Sequence, residues 1–204
     1  ADLTEFSGFH CNDMVVDIDG NAFIGNFGFN TYDGEEIKPT NLILVKPGEE
    51  PVLAAENLVC PNGTVITPDN KTLIVGETYA ARLTAFDKSE DGSLSNRRIW
   101  ADLKVNAEEG TVPLPDGMCI DEEGAIWVAS PSTAEVIRVH EGGMISERIP
   151  VQTNAFACML GGEDRRTLFI CTSNGSGVDP GAALREKSGK IEITQVDVPG
   201  CGKP

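Results

Sequence analysis

With 204 residues, 40% of them hydrophobic, the chain is long enough to bury one sizeable core. Its formal charge of −16 excludes nucleic acid as a partner, because phosphate binding needs basic patches. No apolar run reaches the length of a membrane span. The opening residues Ala1 to Glu5 show no basic stretch leading into an apolar one, so neither a membrane partner nor a signal peptide is expected.

The chain repeats one pattern. A polar residue opens it, a short apolar run follows, then an acidic or polar turn with glycine or asparagine, then a second apolar run. That is the grammar of a β-hairpin. The first copy runs from Asn12 to about Gly25. Asn26 to Asn30 then reads as a loop holding Phe27 and Phe29. Leu42–Val45 and Val52–Ala55 read as strands around the turn Lys46 to Glu50. The second hairpin spans Asn62 to Val75, followed by strands at Leu83–Phe86 and Arg98–Ala101. The third spans Asp116 to Val128, with strands at Val136–Val139 and Ile145–Ile149. The fourth begins at Phe156 and reaches Ile170. Residues 173–188 are glycine-rich and read as a loop, and Ile191–Val196 reads as a late strand that completes a circle. No amphipathic helix of useful length is evident.

The residues in the first slot of each copy are Asn12, Asn62, Asp116 and Ala157, spaced 50, 54 and 41 residues apart. Repeats of about 40–50 residues with four short strands each are the signature of propeller blades. The expected fold is all-β, a single β-propeller domain over residues 1–204. Six cysteines are present without a Cys-x-x-Cys pair, and four of them lie close to a first slot. They read as buried, reduced thiols of a cytoplasmic protein.

Ordered motifs then carry a family likeness. They are Cys11-Asn12-Asp13-Met14-Val15-Val16-Asp17, Pro61-Asn62-Gly63, Phe86-Asp87 with Asp91-Gly92 and Ser95-Asn96-Arg97-Arg98, Leu114-Pro115-Asp116-Gly117, and Gly161-Gly162 leading to Leu168-Phe169. Together they resemble the SMP-30/gluconolactonase/LRE family of six-bladed propeller lactonases. The resemblance implies a divalent cation at the mouth of the central channel, with Asn62 and Asp116 as two of its ligands. It also implies a glutamate ligand from a first blade, which precedes residue 1. About four of six blades are then present here, with the domain incomplete at its N-terminus. Asn12 resembles the family's substrate-contacting asparagine, and His10 stands where the family often has an arginine.

Asn62 offers a neutral carbonyl oxygen and Asp116 an anionic one. Oxygen ligation suits hard cations, so calcium is expected, with magnesium, manganese or zinc as alternatives. A bound cation polarises a lactone carbonyl, and Asp116 serves as general base. The expected function is therefore metal-dependent hydrolysis of a small-molecule lactone. The alternative is a binding or assembly propeller without catalysis. Asn and Asp before Gly are also ordinary turn residues, but Ala157 in the fourth slot indicates that the slot itself does not demand a polar group. His140 reads as a surface residue. Glu77 reads as a solvated carboxylate, with substrate contact as the alternative. A Ser-His-Asp hydrolase is not expected, since no Gly-x-Ser-x-Gly elbow occurs and Gly175-Ser176-Gly177 lacks a strand-turn-helix context. Four blades of a six-bladed design leave apolar faces and strand edges bare. Missing blades, self-association and a tighter ring are the expected ways to cover them, in that order.

Overall fold

Asp17 and Asp121 show why the repeat folds into hairpins. Asp17 Oδ1 accepts hydrogen bonds from the backbone N–H of Asp19 and of Asn21, each at 2.9 Å. Asp121 Oδ1 accepts from Glu123 N and Ala125 N, each at 3.0 Å. Each carboxylate thus satisfies the turn's own backbone, which is the local reason the chain reverses there.

The computed structural model describes residues 1–106, 111–175 and 185–202. Its strands form four antiparallel meanders. The first is β1 (Cys11–Val16), β2 (Ala22–Asn26), β3 (Thr40–Val45) and β4 (Val52–Leu58). The second is β5 (Pro61–Ile66), β6 (Thr72–Glu77), β7 (Arg82–Lys88) and β8 (Leu94–Asp102). The third is β9 (Met118–Ile120), β10 (Ile126–Ser130), β11 (Glu135–Val139) and β12 (Ile145–Pro150). The fourth is β13 (Asn154–Gly161), β14 (Thr167–Ser173) and β15 (Lys190–Gln195). The fold is therefore all-β, with four blades of a propeller. The inner strands touch in the succession β1, β5, β9, β13.

Two expectations change. The late strand does not close a circle: β15 pairs with β14 as the third strand of the fourth blade. The chain then turns back toward the third blade, where Gly200 bridges Asp121 and Glu122 N donates to Pro199 O at 2.9 Å. The loop read at 173–188 falls partly on residues 176–184, outside the described residues, and with it Ser176 and Gly177.

Three apolar clusters hold the blades together, one per interface. Phe23, Leu42 and Leu58 of the first blade meet Leu73, Val75 and Phe86 of the second. Val65, Ile74 and Leu83 of the second meet Ile120, Ile126 and Val128 of the third. Trp127, Ala129 and Val136 of the third meet Leu160, Leu168 and Ile170 of the fourth. Successive residues of β10 thus point into different interfaces, and all five are buried. A blade covered on both faces needs apolar residues at every position, which is why the expected alternation is imperfect. A buried ion pair also crosses the first interface: Lys88 Nζ lies 2.8 Å from Asp17 Oδ2, both side chains fully buried.

Close approach of inner strands is set by glycine. A Cβ on Gly63 would come within 2.3 Å of Asp116 O, and one on Gly117 within 2.8 Å of Ala157 Cβ. In the second and third blades the residue after the first slot therefore packs directly on the inner strand of the next blade, and only glycine fits there.

Candidate functional site

The slots owe their direction to a repeated irregularity. In β1 the pairing jumps from Cys11↔Asn26 to Met14↔Ile24, so Asn12 and Asp13 together oppose Gly25. In β5 it jumps from Pro61↔Glu77 to Thr64↔Val75, so Asn62 and Gly63 oppose Gly76. Before β9, Asp116 N donates to Ala129 O at 2.9 Å and Ala129 N donates to Gly117 O at 3.1 Å, so Asp116 and Gly117 oppose Ala129. Two residues against one is a β-bulge, which frees a side chain from the pleat and re-aims it. In the fourth blade the jump falls at Phe156, between Ala155↔Thr172 and Ala157↔Cys171. The residue in the slot's place is thus Phe156, one position before Ala157.

These bulges bring Asn12, Asn62, Asp116 and Phe156 to one cavity of about 510 Å3. Asn62 Nδ2 donates to Thr78 Oγ1 at 3.1 Å, and Thr78 Oγ1 donates to Pro115 O at 2.8 Å. That relay ties the second blade to the residue before Asp116 and fixes the amide, leaving Asn62 Oδ1 as its acceptor. Asn62 Oδ1 is buried without a hydrogen-bond partner among the described residues, and so is Asn12 Nδ2. A buried acceptor left unpaired costs free energy unless a ligand takes it.

Asp116 is the perturbed acid of the site. Burial pushes its carboxyl up to about 7, the charge of Asp13 adds to the rise, and hydrogen bonds from Asn62 and Gly117 temper it. Asp13 is itself raised by burial, although the residue is exposed overall. Within this cavity the Asp116 carboxylate and the orphaned Asn62 amide oxygen are oxygen donors of the kind a hard cation takes, while Asp13 lines a separate cavity. Among the described residues no three of His, Cys, Asp and Glu gather at one point.

His10 does not line this cavity. Its ring packs on Phe9 at 4.1 Å between centroids and lies 6.1 Å from Tyr32, at the entry to β1. Glu77 is neither solvated nor open to a ligand, because its side chain is fully buried. It accepts from Arg82 Nε at 2.8 Å, Arg82 Nη2 at 2.9 Å, Thr84 Oγ1 at 2.5 Å and Val59 N at 2.9 Å. Arg97 Nη2 reaches it at 3.2 Å. Burial raises the Glu77 carboxyl, but the bonds from Arg82, Thr84 and Val59 more than reverse this and hold it low. His140 sits half-buried at the β11–β12 turn, with Nε2 2.9 Å from Ser146 Oγ.

The sequence reading missed the other walls. Phe27, Tyr79, Leu114 and Pro131 line the cavity, as do Cys60 and Asn154. Phe27 follows β2, Tyr79 lies in the short 3-10 turn Thr78–Ala80 after β6, and Pro131 follows β10. Each stands where a second strand leaves its blade at the cavity end. Cys60 is a neutral thiol, pushed up to about 12 by burial, with the Asp116 charge adding to the rise and a Thr78 hydrogen bond opposing it.

Comparison with known proteins supplies the family context. Residues 3–174 match the SMP-30/Gluconolactonase/LRE-like region. Regucalcin of Oryctolagus cuniculus is 31% identical over 196 residues, covering 93% of this chain and 63% of that protein. A 6-deoxy-6-sulfogluconolactonase of Pseudomonas putida is 28% identical over 151 residues, covering 74% of this chain and 50% of that protein. The crystal structure of a calcium-binding protein, regucalcin, from Agrobacterium tumefaciens superposes with a TM-score of 0.75 at 21% identity, covering 95% of this chain and 63% of that one. The chain thus spans less than two thirds of the length of these relatives. Among the described residues no helix is long and apolar enough to cross a membrane.

Proposed function

The chain belongs to the SMP-30/gluconolactonase/LRE-like family, and from that premise we propose that its cavity hydrolyses a lactone with the help of a divalent cation. The observation that carries this reading is the convergence of Asn12, Asn62 and Asp116 on one cavity, with Asn62 Oδ1 left unpaired. Asn62 and Asp116 would hold the cation, calcium first, as the regucalcin named a calcium-binding protein suggests. When bound, a cation supplies Lewis-acid polarisation of the lactone carbonyl.

The chain's own residues do the rest. Asn12 Nδ2 donates to an oxygen of the substrate. Asp116 in its ionised form, its carboxyl pushed up to about 7, takes a proton from the attacking water as the water oxygen bonds to the carbonyl carbon. The ring C–O bond then breaks, and Asp116 returns that proton to the leaving oxygen to give the hydroxy acid. Water is kept from the remaining walls by Phe27, Tyr79 and Phe156.

We further infer that the four blades are part of a six-bladed ring. The 63% coverage of regucalcin and the bare apolar faces of the first and fourth blades support it. Lactone opening with and without added calcium, followed by acid release, tests the function. Asp116→Asn is expected to lower the rate at least about a thousand-fold and Asn12→Ala about ten-fold to a hundred-fold. Equal small losses in both variants would overturn the assignment of Asp116 as the base.

A further inference from the structure

The cavity is lined by polar and apolar side chains together, and the apolar ones say what the rest of the substrate is. Three slots carry Asn12, Asn62 and Asp116, while the fourth slot carries Phe156, brought in by the same bulge. Above them, the residues that leave the second strands of the first three blades are Phe27, Tyr79 and Pro131. Leu114, just ahead of the third slot, adds a further apolar wall.

Three of the polar side chains between these walls, Thr78, Ser132 and Asn154, already have partners. Thr78 Oγ1 is held between Asn62 and Pro115 O. Ser132 Oγ donates to Val112 O at 2.8 Å and accepts from Leu114 N at 3.0 Å. Asn154 Nδ2 donates to Gly175 O at 3.1 Å. The buried side-chain atoms of the cavity left unpaired among the described residues, Asn12 Nδ2 and Asn62 Oδ1, belong to residues that line it with Asp116. A polyhydroxylated ring would need a partner for each hydroxyl it buries, and unpaired hydroxyls against Phe156 and Tyr79 are costly. An aryl or alkyl substituent needs none and gains from leaving water.

We propose that the ligand of this cavity is a lactone bearing an apolar, aryl or alkyl, substituent rather than a sugar lactone, with Phe156 and Tyr79 as the residues that select it. This rests on the lactonase reading above and deepens it.

The test pairs a catalytic with a binding readout. Hydrolysis of dihydrocoumarin and of glucono-δ-lactone is compared in calcium, and calorimetry measures binding of their non-hydrolysable lactam counterparts. The expected result is a kcat/KM at least about ten-fold higher for dihydrocoumarin, the scale a few buried methylenes provide. Phe156→Asn and, independently, Tyr79→Ser should each shrink that ratio several-fold while thermal unfolding stays close to the parent. A preference for glucono-δ-lactone would overturn the substrate class and leave the lactonase reading standing. Binding of the aryl lactam without hydrolysis of either lactone would sustain the ligand class and sink the catalytic reading. Failure of both lactams to bind, or a ratio that neither variant moves, would overturn the proposal.

Discussion

The third blade, of four strands, and the fourth, of three, are both antiparallel meanders but live in different surroundings. In the third, Ile126 and Val128 face the second blade while Trp127 and Ala129 face the fourth. In the fourth, Leu168 and Ile170 face the third blade, but Phe169 on the other face is 39% exposed. Ile191 and Ile193 beside it are 67% and 66% exposed, and Ile193 pairs with Phe169 across the ladder. The first blade mirrors this, with Met14, Val16 and Ile18 exposed. The same side-chain type thus holds the structure in one blade and meets solvent in the next. Position in the ring, not composition, decides what an apolar residue contributes.

The sharpest way to break that comparison is to truncate one residue of each kind. Trp127→Ala removes a fully buried ring between two blades and should cost about 3–5 kcal/mol in urea unfolding. Phe169→Ala should cost less than about 1 kcal/mol. Equal losses would mean that the two faces are not different after all.

A polar interior position comes next. Glu77→Ala leaves Arg82 and Arg97 facing a vacated carboxylate site and should cost about 2–3 kcal/mol. The Glu77 carboxyl is held below its usual value, so its contribution is complete above that value and is lost as pH falls through the lowered one. Acid titration of unfolding should therefore show the parent converging on Glu77→Ala at the acid end and separating from it at neutral pH.

Asp116 has the opposite sign. Its carboxyl is raised from 3.8 to about 7, so the stability tied to the protonated acid is fully present below the ordinary carboxylate value and is lost as pH rises through about 7. Without divalent cation, Asp116→Asn should exceed the parent by about 1–2 kcal/mol at pH 8 and match it near pH 4. A thermal unfolding series in chelator reads this directly, and added calcium should stabilise the parent more than the variant. The smallest effect belongs to the open face: Ile193→Ser should change stability by under about 0.5 kcal/mol while reducing concentration-dependent association in light scattering.

The hairpins were legible because an acidic turn between two apolar runs carries its own hydrogen-bonding logic, as Asp17 and Asp121 show. Asn12, Asn62 and Asp116 were legible because three copies of one slot hold side chains of one chemistry. Phe156 was not: a bulge inserts a residue that spacing cannot reveal, and the slot was read one position late, at Ala157. Phe27 and Tyr79 are single aromatics in short connections, where no period marks them. Glu77 was misread because its arginine partners come from β7 and β8, and only pairing across the blade brings them together.

The shared bulge has a consequence for how such a site changes over time. The backbone bonds of Asp116 and Gly117 to Ala129 hold the strand whatever side chain stands in the slot. Asparagine, aspartate and phenylalanine already occupy equivalent slots in one chain without altering the frame around them. Each blade therefore works as a socket whose insert can be exchanged alone, so that drift in one slot retunes what the cavity accepts while the neighbouring blades keep their fit.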